Sequence, residues 1–241
     1  MKEVKINTRL KFKLLKAILS KDIKSEIRQI NDLISIFLFG IISIFIFSSV
    51  YNFGTEYQNM PLEVYIIENW LIIFFILIYI MTKLFIKEKE SGTLGGLITS
   101  PASANTIFLS KTIFCLILLS FVELIIFLFS YFISAPSIDK LNSLQIFGYI
   151  GLAILLPTID LAICGSIVSA FSMYAKKKSF VLPILLFPLI LPIVTPIISI
   201  NIKILEGLAI TSLNFEIIFL IAHIILMISI VSLISQTLLY D

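Results

Sequence analysis

The chain has 241 residues, of which 59% are hydrophobic and 14% charged, and its mean hydropathy of +1.09 excludes an ordinary soluble globular domain. Several continuous apolar runs approach the ~20 residues needed to cross a hydrocarbon core about 30 Å thick, and their continuity excludes a barrel of alternating strands. A net charge of +3 gives no argument for a nucleic-acid partner, because the positive charges have a better explanation in membrane topology.

Residues 1–32 hold nine Lys/Arg and four Asp/Glu. Leu15, Leu19, Ile23, Ile27 and Ile30 recur at helical spacing, with Ile18 beside them, while Lys16, Lys21, Lys24 and Arg28 project elsewhere. This pattern predicts an amphipathic basic helix lying on an anionic membrane surface. It is too long and too charged for the n-region of a cleaved signal, and Glu3, Asp22, Glu26 and Asp32 argue against a mitochondrial presequence.

Six spans follow, at about 33–51, 64–82, 112–133, 144–172, 180–200 and 215–235. Lys and Arg decide their orientation. With the N-terminus inside, the inner segments hold nine, four (Lys83, Lys87, Lys89, Lys111) and three (Lys176, Lys177, Lys178), against Lys140 and Lys203 outside. Both ends are therefore expected in the cytoplasm. The expected fold is an all-α polytopic membrane protein, with an interfacial helix over 1–32 and one six-helix domain over 33–241. External loops of about ten residues leave no room for a soluble domain, and no segment repeats another in the manner of an inverted-repeat transporter.

The segment 84–111 between spans two and three is the polar interruption with a design of its own. Glu88 and Glu90 precede Gly92 and Thr93, and Pro101 follows. Leu94, Leu97 and Ile98 stand at i, i+3 and i+4, so a short helix here carries one apolar face. That face is expected to dock onto a separate protein below the membrane and to move the spans when pushed.

Four prolines, Pro183, Pro188, Pro192 and Pro196, lie in span five. Each removes an N–H and crowds the carbonyl four residues back. The expectation is a gate or hinge, with the helix broken near its outer end and 193–211 dipping back as a short hairpin, in preference to a merely kinked helix. Span four carries Pro157, with Asp160 one turn later. Glu123 and Asp160 must avoid lipid. They are either a polar path or gating pair between spans three and four, or partners in hydrogen bonds between helices. Glu68 and Glu216 sit near span ends, where water is expected to reach them.

His223 has no Asp or Cys close by in sequence, so a packing histidine or a contact along a substrate path is preferred over a haem or metal ligand. Cys115 and Cys164 are 49 positions apart and read as small buried apolar residues; no disulfide and no metal site is expected. There is no G-x-x-x-x-G-K-[ST] loop and no Ser/His/Asp arrangement, so the chain is expected to be non-catalytic.

E-x-x-x-G-T-L-x-x-L-x-x-x-P, as Glu88, Gly92, Thr93, Leu94, Leu97 and Pro101, resembles the coupling segment of ABC-2-type permeases. L-P-x-L-L-F-P-x-x-x-P, from Leu182 to Pro192, resembles a signature of the CcmB family, the haem exporter B subunit of cytochrome c maturation. Before it come the basic turn Lys176 to Lys178 and the small-residue stretch Gly165 to Ala170. Trp70 and Phe108-Leu109-Ser110-Lys111 fit as well, and the resemblance runs from about Lys21 to Thr211. Gly95 and Ser179 stand where the family usually has acidic residues, and Asp160 where a glycine is expected.

The resemblance implies an inner-membrane permease subunit with no cofactor bound directly and the question of haem left open. It implies a membrane homodimer clamped onto two CcmA-type ATPases that use ATP, together with CcmC-type and CcmD-type membrane proteins. The outcome would be haem export or release of the haem-loaded chaperone CcmE. The location would be a bacterial plasma membrane, or a mitochondrial inner membrane where the gene is organellar. Two other functions stay open: an ion- or proton-coupled transporter using Glu123 and Asp160, and a non-transporting scaffold.

Overall fold

A computed structural model describes residues 8–54, 60–134, 149–208 and 210–240. All regular structure among the described residues is helical. α1 (Thr8–Arg28) leads into α2 (Ile30–Gly54), and α3 (Leu62–Glu90) is continuous but contains one π turn at Thr82–Ile86. The short α4 (Leu94–Ile98) precedes α5 (Ala104–Ser134). A π turn, Tyr149–Leu155, then feeds α6 (Leu156–Ser172), followed by α7 (Lys178–Leu205) and α8 (Asn214–Tyr240). Six of these helices are long and apolar enough to cross a membrane. The expectation of an all-α polytopic membrane protein holds.

α5 is the hub, packed against α1, α2, α3, α6 and α8, while α6 is the most enclosed span and α8 the least. What allows α6 its central place is small side chains. At Gly165 an added Cβ would stand 3.0 Å from Leu77 Cδ1 and 3.3 Å from Met81 Cγ, so glycine sets how closely α3 approaches. One turn later, Ser169 Oγ donates to the Met81 carbonyl at 2.7 Å and accepts from the Phe85 N–H at 3.1 Å. Those two groups would bond each other in an unbroken α-helix. The serine of α6 thus stands inside the hydrogen-bond ladder of α3, and this insertion accounts for the π turn.

The second π turn has a similar origin. Pro157 has no N–H for the carbonyl of Ala153, four residues earlier, and Asn201 Nδ2 of α7 donates to that carbonyl at 3.0 Å. A π turn stands immediately before Pro157, and α7 satisfies the acceptor that the proline frees.

The break expected in span five is absent. α7 runs through Pro183, Pro188, Pro192 and Pro196 to Leu205, then turns at Gly207, whose N–H meets the Ile204 carbonyl. No hairpin begins at Ile193. The reason is packing: Leu182, Leu186, Ile190, Ile193, Ile197, Ile200 and Ile204 form one buried seam along this helix. A break would leave further backbone groups without partners, which an apolar surround penalises more than a missing proline bond. Beyond the turn, Lys203 Nζ lies 2.6 Å from Glu216 Oε1, and Ser199 donates to the same oxygen at 2.8 Å. Glu216 is therefore paired as well as near a span end. Glu68, expected within reach of water, is buried at 2% exposure.

Candidate functional site

α1 does not turn a purely apolar face to its surroundings. Its most buried side chains are Asp22 and Glu26, one helical turn apart, flanked by Leu14, Ile18, Leu19 and Ile23 packed on the core. Ile27 and Ile30, assigned from spacing to the membrane-facing stripe, stay exposed. The two acids draw α1 onto α3 and α5, because the lysines there need anions.

Lys111, in the first third of α5, is 1% exposed and lies 2.9 Å from Asp22 Oδ2 and 2.8 Å from Glu88 Oε1. Lys83, in the π turn of α3, lies 3.1 Å from Glu26 and also pairs with Asp32. Lys87 reaches Glu26 at 3.6 Å and Gln29 at 2.6 Å, and Lys21 pairs with Glu88. Four lysines (21, 83, 87, 111) thus meet four carboxylates (22, 26, 32, 88), and the assembly is electrically neutral. Neutrality and mutual hydrogen bonds are the conditions under which such charges tolerate burial. Half-burial alone would lower the Lys21 pKa, but the hydrogen bond with Glu88 and the field of Asp22 outweigh it and raise the value above its ordinary 10.5.

The cluster places α4. Glu88 Oε2 accepts from Thr93 Oγ1, and the Thr93 N–H returns to the Glu88 carbonyl at 3.0 Å. The chain closes this turn at Gly92, whose φ of +71° belongs to the left-handed region and suits glycine. Emerging from it, the five-residue α4 turns Leu94 and Leu97 inward, at 5% and 8% exposure, with Ile98 half-buried. The apolar ridge expected to grip another protein is therefore spent on this chain's own core. A helix of five residues has too few internal bonds to stand alone and is held by that burial.

What α4 leaves outward is its other side: Gly95, Gly96 and Thr99, with Gly92, Glu90 and Pro101 nearby. An added Cβ at Gly95 or Gly96 would meet nothing within 4 Å. Beside this face an apolar groove of about 370 Å³ runs between α1 and α4, lined by Leu14, Ala17, Ile18, Gly96, Leu97 and Ala102. Glu90 lies 2.9 Å from Lys178 of the basic turn, and Lys89 covers the Tyr174 ring at 4.6 Å. These contacts tie the segment to the α6–α7 connection.

The intramembrane acids are not a pair. Glu123 of α5 bonds to Thr158 of α6, whereas Asp160 faces α8. There His223 Nδ1 lies 2.8 Å and 2.9 Å from the two Asp160 oxygens, so the histidine without a neighbour in sequence has an acid neighbour in space. Cys164 joins them, its thiol donating to Asp160 Oδ1 at 3.8 Å. Pro188 and Pro192 lie on the exposed side of α7, Pro183 is half-buried and Pro196 buried.

Nothing local in the sequence groups Asp22, Glu26, Lys83, Lys111 and Ser169. The lysines already have a reason in topology, and only the i, i+4 spacing of Asp22 and Glu26 on an otherwise basic helix signals a face reserved for cations.

The family model described as CcmB protein matches residues 13–237. The chain belongs to the CcmB family. Members of the CcmB family are the membrane component of a haem-export ABC transporter for cytochrome c maturation, a permease subunit whose partner is the CcmA ATPase. The match takes in α1 from its second turn and nearly all of α8, so the charge cluster and α4 both fall within the CcmB region. No curated protein and no solved structure matches the chain.

Proposed function

We propose that this CcmB-family subunit carries nucleotide-driven motion of a CcmA-type ATPase into its six-helix bundle through α4. The observation that carries the reading is the ionic clasp: Glu88 is bonded at once to Lys21 of α1, Thr93 before α4 and Lys111 of α5. A push on α4 therefore reaches α1, α3 and α5 as one body. The partner docks on the side formed by Gly92, Gly95, Gly96 and Thr99, where the absence of side chains lets another backbone come close, and fills the adjoining apolar groove. Lys and Arg abundance puts this end of the bundle, and both chain ends, in the cytoplasm. Two such subunits face each other over two ATPases, in company with CcmC-type and CcmD-type proteins.

The energy comes from the different affinities of the ATPase states for ATP, the only means by which a ligand shifts such an equilibrium. The subunit itself is non-catalytic. Its work is haem export or release of the haem-loaded CcmE. The separate partners of Glu123 and Asp160 weigh against a single ion path through both. Prolines on the exposed side of α7 make it the candidate hinge. The decisive test replaces Gly96 with Trp and measures capture of the ATPase by the membrane subunit. Loss of capture with the bundle still folded supports the reading, and undiminished capture refutes it.

A further inference from the structure

Inside the bundle, away from the clasp, the sole histidine of the chain meets one of its two cysteines and a buried aspartate. Asp160 and Cys164 stand one turn apart on the same face of α6, and His223 reaches them from α8. The ligand atoms of all three lie within 4.8 Å of one another. We propose that Asp160, Cys164 and His223 form a binding site for a borderline or soft divalent transition-metal ion, of the zinc kind, at the seam between α6 and α8.

The distances suit such an ion. Tetrahedral coordination, with bonds of about 2.0–2.3 Å to nitrogen, oxygen and sulfur, separates neighbouring ligand atoms by roughly 3.3–3.7 Å. Here Nδ1 is 2.8 Å and Sγ 3.8 Å from Asp160 Oδ1, so small side-chain rotations open or close the gaps. The donor set, one carboxylate, one thiolate and one imidazole, favours zinc-like ions over magnesium or calcium.

Charge gives the second argument. Once the thiol proton has left for solvent, Asp160 and Cys164 supply two negative charges, and a divalent ion makes the assembly neutral. Neutrality matters where Asp160 and Cys164 are both wholly buried, because an unpaired charge among apolar helices is costly. The His223 side chain is 9% exposed, so the trio lies close to the α8 edge of the bundle. Cys115, the other cysteine, lies on α5 outside this group and serves as a built-in control.

The test is a titration of the purified full-length protein in lipid nanodiscs with Co²⁺, followed by displacement with Zn²⁺. The expected result is a one-to-one complex with a near-ultraviolet thiolate-to-cobalt band. Cys164→Ser abolishes the band, and Asp160→Asn or His223→Gln weakens binding at least about tenfold. Cys115→Ser changes nothing. A band that survives Cys164→Ser, or that follows Cys115, overturns the proposal, and so does the lack of one-to-one binding. Should Cys164→Ser fail to fold, X-ray absorption of the zinc-loaded unmodified protein decides: a single sulfur at about 2.3 Å supports the site, and its absence refutes it.

Discussion

Lys111 Nζ lies 2.8 Å from Glu88 Oε1, with both side chains buried and the two residues 23 positions apart in sequence, the whole of α4 lying between them. The bond closes that loop against the bundle, and the same lysine also holds Asp22 of α1. Replacing Lys111 by Met leaves two buried carboxylates short of a cation. The expected cost is about 3–5 kcal/mol, read as a lower unfolding temperature in detergent and faster proteolysis of 84–111. The double variant Lys111→Met with Glu88→Gln should recover part of the loss, because it removes the stranded charge along with its partner.

Ser169 makes a prediction about register. Without its hydroxyl, the Phe85 N–H and the Met81 carbonyl are free to bond each other, and the ladder of α3 closes as an ordinary α-helix. Everything after the π turn then rotates by about 100°, one residue of helix. Ser169→Ala should therefore insert into the membrane normally while Glu88 loses Lys111. Hydrogen exchange in 82–98 should rise, and cytochrome c maturation should fall. Ser169→Thr, which keeps the hydroxyl, should retain more of both.

For the outward side of α4, the expected pattern is the reverse of a folding defect. Gly96→Trp meets no atom of this chain at its Cβ, so thermal stability should change by less than about 0.5 kcal/mol, as for most surface substitutions. ATPase capture should drop sharply. Leu94→Asp should do both kinds of damage, because Leu94 is buried in the core. Comparing the two variants by pull-down and by melting separates a docking surface from a structural one.

The α7 prolines on the exposed side offer a further comparison. Pro188→Ala and Pro192→Ala each restore a backbone N–H to a helix that is already continuous. The unfolding temperature should stay level or rise. If α7 bends during the cycle, maturation activity should fall in the same variants, and full activity in the double variant would remove the hinge from the account.

Class was legible from composition alone: long continuous apolar runs need a membrane, and six helices of that length and character are present. The turn before α4 was legible too, since Glu88, Gly92, Thr93 and Leu94 are a local pattern whose turn chemistry does not wait for the rest of the fold. What the tertiary structure alone decided is who faces whom. Periodicity finds an apolar face on α4 but not its partner, and for Leu94 and Leu97 the partner is this chain's own core. Spacing likewise could not join Lys111 to Asp22 or His223 to Asp160, which are brought together only when α1 meets α5 and α8 meets α6. In an apolar bundle, buried charges seek the few opposite groups available at any sequence distance, and local pattern carries no record of that search.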